Sequence, residues 1–138
     1  ITGAILHDIG KLEELDSVRE FNYTVPGGML GHIVLGVKIV AEQVTGLEDF
    51  PEELAMLLEH MILSHQGTRE WGSPVPPKTR EAVLLHFADN VDAKHALAAG
   101  ALADAASSDD PWTPRVRYLG HSLYRGRPSP STPPPDEA

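Results

Sequence analysis

The sequence predicts an all-α domain, a helical bundle with a metal site in its core and an irregular C-terminal tail. Apolar residues recur at helical spacing along most of the chain, and no segment alternates apolar and polar residues as a half-buried strand does. Histidines and aspartates interrupt the apolar side of each helix, which indicates a polar site inside the bundle. With 138 residues, 41% of them hydrophobic, the chain is long enough for one domain with a core.

Four helices are predicted from the apolar stripes and their start and stop signals. The first ends near Gly10, and the second covers residues 30–44. The third runs from Pro51 to Gly67, and the fourth extends from about residue 78 to 105. Proline is tolerated in a first helical turn, and glycine is a common C-terminal stop. The connection over residues 68–77 carries three prolines and is long enough to form a rim or lid.

Composition changes beyond the last helix. We predict a helical domain over residues 1–106, an extension over 107–127 that packs on it, and a disordered tail over 128–138, which is rich in proline and serine. Because Ile1 lies inside a predicted helix, we expect the domain to be truncated at its N-terminus. The missing upstream helix would leave apolar surface exposed, so a homo-oligomer is one expected consequence.

The residue inventory limits the chemistry. The chain has no cysteine, so a metal must be held by nitrogen and oxygen ligands, and seven histidines are available. A net charge of -9 opposes capture of nucleic acid by the domain's own surface, because such surfaces are normally basic. No run approaches the length of a membrane span and no leader pattern is present, so we expect a soluble, cytoplasmic protein without a membrane partner.

Ionisable residues lie at the apolar side of every predicted helix. They are His7, Asp8, His32, His65 and Asp89. A buried carboxylate needs a cation or several hydrogen-bond donors, and this distribution suits a divalent metal inside a bundle. His60 precedes His65 by five residues, about 140° away on an ideal helix, so both reach one site only if the helix deforms near Ser64.

Each of these residues also has an ordinary structural interpretation. A single histidine on an apolar face is usually a core residue with one hydrogen bond, and Asp89 alone could cap a neighbouring helix. His86, His95 and His121 have no convergent partner, and for them we adopt the ordinary interpretation. Five ligand-type residues on four helices are harder to explain as independent accidents.

The ordered phrases around these residues narrow the class. "HDIGK", then His32 in "GGMLGHIVLG", then His65, and finally Asp89 in "LLHFADNVDAK" resemble the HD superfamily of metal-dependent phosphohydrolases. With "EHMILSHQGTREWGSPVPPKTREAV" and "WTPRVRYLGHSLYRG", the chain up to about Gly126 resembles the HD domain of YhaM-like 3'-to-5' exoribonucleases.

The resemblance implies a role for each matching residue. First-metal ligands are His7, Asp8 and Asp89, with Asp8 able to bridge to a second metal, and His32, His60 and His65 serve that second metal or the reacting phosphate. Lys11 is implied as a partner of a phosphate oxygen, and Asp8, Lys11, His32 and His65 as the catalytic set. Two features depart from the family: its first metal histidine lies upstream of "HD", and Gln66 stands where many relatives carry a second consecutive histidine.

The implied activity is hydrolysis of phosphodiesters in single-stranded RNA by a metal-activated water. The implied cofactor is one or two divalent ions, Mn²⁺ first, with Mg²⁺, Co²⁺, Fe²⁺ or Ni²⁺ as alternatives. An upstream OB-type domain would capture the RNA, and Trp71 in the proline-rich loop could stack on a base, or simply pack on its loop. The alternatives are an HD phosphohydrolase of small nucleotides and a non-catalytic HD module for binding or assembly. The fragment itself is expected to bind metal weakly and to show little or no nuclease activity.

Overall fold

The computed structural model of the chain describes residues 1–16 and 22–126. The elements in chain order are α1 Thr2–Leu6, α2 Lys11–Glu14, β1 Leu15–Asp16, β2 Asn22–Tyr23, α3 Val25–Thr45, α4 Glu52–Ser64, a 3₁₀ turn Arg69–Trp71 and α5 Arg80–Asp104. The mostly helical class is confirmed. The structure also contains two short strands that were not predicted, β1 and β2, which pair antiparallel. Strands of two residues are too short to show an alternating pattern in the sequence.

The first predicted helix is broken by a turn. α1 ends at Leu6, and α2 starts only at Lys11. The intervening residues are held by backbone bonds at both ends, from the His7 N–H to the Gly3 carbonyl at 2.9 Å and from the Lys11 N–H to the Asp8 carbonyl at 2.9 Å. His7 and Asp8 therefore lie in a hydrogen-bonded turn rather than on a continuous helix.

Helix α3 begins earlier than predicted and contains a break. Thr24 caps its start, since the Thr24 hydroxyl accepts the Gly27 N–H at 2.9 Å, and the following Val-Pro suits a first turn. Gly31 is non-helical, with φ 71° and ψ 160°. Glycine adopts a positive φ at little cost, so a second helical segment begins at His32.

A glycine also allows α2 to approach α3 closely. A Cβ at Gly10 would overlap the backbone carbonyl of His32 and the backbone nitrogen of Gly36. The two helices therefore meet backbone to backbone, and α4 packs against both α3 and α1. The buried core of this part of the chain consists of Ile33, Leu35, Val40, Ile62, Ala82 and Leu85.

Among the described residues, α3 is the one helix long and apolar enough to cross a membrane by length and composition, with a hydropathy of 1.3. This differs from the expectation that no run approaches such a length. The core helix of a soluble protein passes the same test, and α3 packs against α2 and α4.

By their contacts the residues form two compact units, Ile1–Asn90 and Val91–Ala138. In the described part of the second unit, Arg125 ties the chain together by donating to the carbonyls of Ala106, Ser108 and Asp110 at 2.6–2.9 Å. The division falls within α5, so the predicted boundary at residue 106 stays a prediction. The predicted disordered tail, 128–138, lies outside the described residues.

Candidate metal centre

Asp8 lies at the middle of the candidate site, and its two oxygens face different groups. Oδ1 lies 3.5 Å from His32 Nε2 and 3.8 Å from His65 Nε2. Oδ2 lies 3.4 Å from His7 Nε2 and 2.6 Å from Lys11 Nζ. The Asp8 carboxylate thus lies among side chains from α2, from α3, from the C-terminal end of α4 and from the turn after α1.

Two polar atoms of this cluster are buried without a hydrogen-bond partner among the described residues. They are Asp8 Oδ1 and His32 Nε2. Ligand atoms of Asp8, His32 and His65 all lie within 4.8 Å of one another. Because an unsatisfied buried polar atom costs free energy, and because a carboxylate oxygen and imidazole nitrogens are suitable ligands for divalent metals, this donor set fits a cation.

A second group forms around His7. Its Nε2 lies 3.6 Å from Asp89 Oδ1 on α5, in addition to the 3.4 Å contact with Asp8. The His7 Nδ1–H donates to the Ala4 carbonyl at 2.8 Å, because a carbonyl can only accept; in the neutral imidazole this arrangement directs the Nε2 lone pair toward the carboxylates. The structure therefore brings together His7, Asp8 and Asp89, the three residues expected to share one metal.

His65 is fully buried at the C-terminal end of α4. Its Nδ1–H donates to the Ile62 carbonyl at 2.7 Å, which leaves Nε2 as the ligand atom, and Gln66 Nε2 lies 3.1 Å from that atom. Burial lowers the pKa of His65, and the opposing effects of the Ile62 carbonyl and of Asp8 offset this only in part. His65 is thus kept neutral, the protonation state that a metal requires.

Glu14 supports His32 and was not identified from the sequence. Its Oε1 accepts the backbone N–H of His32 at 2.9 Å and lies 3.4 Å from Nδ1 of the same residue. Glu14 is only 8% exposed, although "KLEE" reads as a solvent-facing helix end. The one available signal was its spacing of four residues from Gly10, which puts it on the face of α2 that meets α3.

His60 is not brought into this group. Its Nε2 accepts the backbone N–H of Lys78 at 2.9 Å, and burial together with the Lys78 charge lowers its pKa. The deformation that would have turned His60 toward His65 is absent, since α4 stays helical through Ser64, whose hydroxyl donates to the His60 carbonyl at 2.6 Å. The expectation that His60 holds a metal is therefore not supported by the geometry.

His86 is a buried histidine with one hydrogen bond, as the ordinary interpretation expects. Its Nδ1–H donates to the His65 carbonyl at 2.9 Å, so it fixes the backbone of a candidate ligand. Gly67 packs against the His86 ring so closely that a Cβ there would overlap it. The centroid of the His86 ring also lies 5.9 Å from that of the Trp71 ring.

Electrostatics favour the ionised carboxylate at the centre. Burial by itself raises the pKa of Asp8. The hydrogen bond and charge of Lys11 outweigh this, with a smaller contribution from His7 and His32, and the pKa of the carboxyl ends below its ordinary value. Asp8 is therefore available as an anionic ligand at neutral pH.

The fold and the site together define a small helical domain whose clustered histidines and aspartate could hold a divalent metal. The sequence profile of the HD domain family matches residues 1–94, and the chain belongs to that family. No solved structure matches the chain significantly.

Curated relatives share the name "3'-5' exoribonuclease YhaM". The Bacillus licheniformis protein is 49% identical over 92 residues, which is 67% of this chain and 29% of the relative. The Bacillus velezensis protein is 46% identical over 124 residues, 89% of this chain and 38% of the relative. The Oceanobacillus iheyensis protein is 50% identical over 92 residues, 67% of this chain and 29% of the relative. The chain thus spans less than two fifths of these relatives.

Proposed function

We propose that this chain is the catalytic domain of a metal-dependent phosphohydrolase that removes nucleotides from the 3' end of single-stranded RNA. The observation that carries the proposal is the environment of Asp8, whose two oxygens face three imidazole Nε2 atoms while Oδ1 has no hydrogen-bond partner within residues 1–16 and 22–126. The names of the relatives support the substrate class.

In this proposal His7, Asp8 and Asp89 hold one cation, and Asp8, His32 and His65 hold a second. A divalent ion bound there, with Mn²⁺ the first candidate, would neutralise phosphoryl charge. It would also lower the pKa of a bound water, so that hydroxide is available as the nucleophile near neutral pH. The chain's own contribution is to keep His65 neutral and Asp8 ionised, so that protons do not compete with the cation for these two ligands.

Lys11 supplies a positive charge at the edge of the site. Its side chain is 47% exposed, and its ammonium lies 2.6 Å from Asp8 Oδ2. If a bound cation satisfied that oxygen, the partly exposed ammonium would be available to contact a phosphate oxygen of the substrate. We therefore assign Lys11 to phosphate binding rather than to metal binding.

Capture of a long RNA is assigned to a region outside this chain, an OB-type domain. A chain with a net charge of -9 repels a polyanion at long range, and the curated relatives are much longer than the matched region. We place the protein in the cytoplasm, where single-stranded RNA is available.

The test is to titrate Mn²⁺ into the chain by calorimetry and to assay hydrolysis with the chain and with a version extended at its N-terminus. Substrates are single-stranded RNA with a labelled 5' end, the same RNA as a duplex, single-stranded DNA and free nucleotides. We expect the extended version to shorten single-stranded RNA from its 3' end in a metal-dependent manner, and the chain itself to bind Mn²⁺ weakly and hydrolyse little or no RNA. Hydrolysis of free nucleotides alone would instead support a small-nucleotide phosphohydrolase, and metal binding without hydrolysis in either version would support a non-catalytic module.

A further inference from the structure

A groove of about 420 Å³ lies next to the candidate metal centre. His32 and Gln66 line one part of it, and both also belong to the centre. The rest of its wall is largely apolar and includes Leu30, Val34 and Trp71. The groove is thus continuous with the residues that surround Asp8 and falls within the size range of ligand pockets.

Trp71 is presented to this groove by a short, hydrogen-bonded loop. It ends the 3₁₀ turn, and Gly72 follows with φ 102°, a conformation that suits glycine. The loop is closed by the Ser73 N–H, which donates to the Thr68 carbonyl at 3.0 Å. The indole is 53% exposed, and its ring centroid lies 5.9 Å from that of His86 at 38°.

The position of Trp71 is therefore linked to the centre. His86, which contacts the indole, also donates to the backbone of His65. A half-exposed aromatic ring held at a fixed place beside the candidate metal centre suits a flat aromatic ligand better than a flexible aliphatic one, because planar rings stack with little loss of conformational entropy.

We propose that this groove binds the nucleobase of the nucleotide whose phosphate lies at the Asp8 centre, with the base stacked on Trp71. The inference rests on the proposed function, since the phosphate at Asp8 is what brings a base into reach. Stacking accepts every base, and the apolar walls formed by Leu30 and Val34 offer no hydrogen bonds to a base edge. The stacking contact itself therefore does not select among the four bases, and the polar side chains that line the groove are those of His32 and Gln66.

The first experiment combines protein variants with substrate variants, as in a double-mutant cycle. Hydrolysis is measured with an RNA carrying a normal 3'-terminal nucleotide and with one whose terminal nucleotide is abasic. In the unmodified chain, extended as above, we expect loss of the base to lower kcat/KM about 10-fold or more. In Trp71→Ala the same loss should cost less than about 2-fold, because the stacking partner is already gone, whereas Trp71→Phe should keep most of the base effect.

Trp112→Ala is the matched control, since that tryptophan belongs to the second unit and is also about half exposed, at 51%. Its base effect should equal that of the unmodified chain. An equal base effect in Trp71→Ala would overturn the proposal, because it would show that the base does not rely on the indole.

The second experiment does not need turnover. The chain has two tryptophans, so Trp112→Phe leaves Trp71 as the sole indole reporter. Adenosine 5'-monophosphate should quench its fluorescence in the presence of Mn²⁺, whereas ribose 5-phosphate, which lacks the base, should not. Equal responses to the two ligands would overturn the proposal. If no RNA is hydrolysed, the proposed function fails, yet this titration still decides whether the groove takes a base.

Discussion

Glu14 Oε1 accepts the backbone N–H of His32 at 2.9 Å and lies 3.4 Å from the Nδ1 atom of the same histidine. A carboxylate in that position favours the tautomer with the proton on Nδ1, so His32 Nε2 presents a lone pair toward Asp8 Oδ1, 3.5 Å away. The buried glutamate thus sets both the place and the chemical form of a candidate ligand. Such outer partners of metal-binding histidines strengthen the bond that they support.

Glu14→Ala is therefore expected to weaken Mn²⁺ binding about 10- to 100-fold, the range observed when such partners are removed. Glu14→Gln should retain part of the affinity, because its amide oxygen can still accept from His32. Calorimetric titration of the metal measures both effects. Glu13→Ala, at the exposed neighbouring position, is the control and should bind as the unmodified chain does. Unchanged affinity in Glu14→Ala would remove the glutamate from the site.

In the version extended at its N-terminus, Asp8→Ala and Asp89→Ala should each abolish Mn²⁺-dependent hydrolysis while leaving most of the helical structure. Each change removes a charged oxygen from the cation site, but the apolar faces of the helices are untouched. Activity on RNA and far-ultraviolet circular dichroism measure the two properties. Asp92→Ala, an exposed aspartate on the same helix as Asp89, should remain active. Activity retained in both site variants would point to another centre.

Lys11→Met should separate metal binding from turnover. The Lys11 ammonium holds Asp8 Oδ2 at 2.6 Å and repels an incoming cation, so its removal should tighten Mn²⁺ binding, by about 2- to 5-fold for a partly exposed ion pair. Hydrolysis should nevertheless fall, because the charge assigned to phosphate binding is lost. Lys38→Met, an exposed lysine on α3, should change neither quantity. Weaker metal binding in Lys11→Met would contradict the arrangement.

Acidification should destabilise the metal-free chain through His65. Burial lowers the pKa of this histidine below its unfolded value of about 6.5, so the unfolded chain binds the proton more readily. The stabilising contribution is complete above pH 6.5 and is lost as the pH falls through the lower folded pKa. Thermal unfolding at a series of pH values between about 7.5 and 5 should show this slope, with EDTA present to remove metal. His65→Gln should flatten the slope; an unchanged slope would assign the effect elsewhere.

Gly10→Ala should disrupt the approach of α2 to α3. Its Cβ would overlap the backbone of His32 and Gly36, which cannot rotate away as a side chain does. We expect a loss of roughly 1–3 kcal/mol in the free energy of unfolding and weaker Mn²⁺ binding, because Asp8 and His32 are forced apart. Gly28→Ala is the matched control, since nothing lies within 4 Å of a Cβ there. Urea denaturation gives the first quantity and calorimetry the second.

The sequence predicted the long helices well because their apolar stripes extend over several turns. It predicted a continuous helix through His7 and Asp8, whereas the structure has a turn there, because four residues are too few for a periodic pattern to reveal a break. It also missed the break at Gly31, since a glycine within an apolar run is compatible with an unbroken helix.

Ligand-type residues were recognisable because a histidine or aspartate on an apolar face is conspicuous. Supporting residues were not. Glu14 is one of two consecutive glutamates, and only the packing of α2 on α3 distinguishes the buried one from its exposed neighbour. Likewise, the bond from His86 to the His65 carbonyl joins residues 21 positions apart in sequence, and no local pattern encodes such a contact.

The break at Gly31 places a candidate metal ligand at the start of a helical segment, where local unfolding is easiest. His32 occupies the first turn of a helical segment, where backbone amides have no partner within the helix and ends fray most readily. Glu14, from a different element, accepts the first of these amides. A cation bound to His32 would pin the same turn through its side chain. Deuterium uptake at the start of this segment should therefore be slower with metal bound than without it. This difference should persist in variants that bind the metal but have lost all turnover.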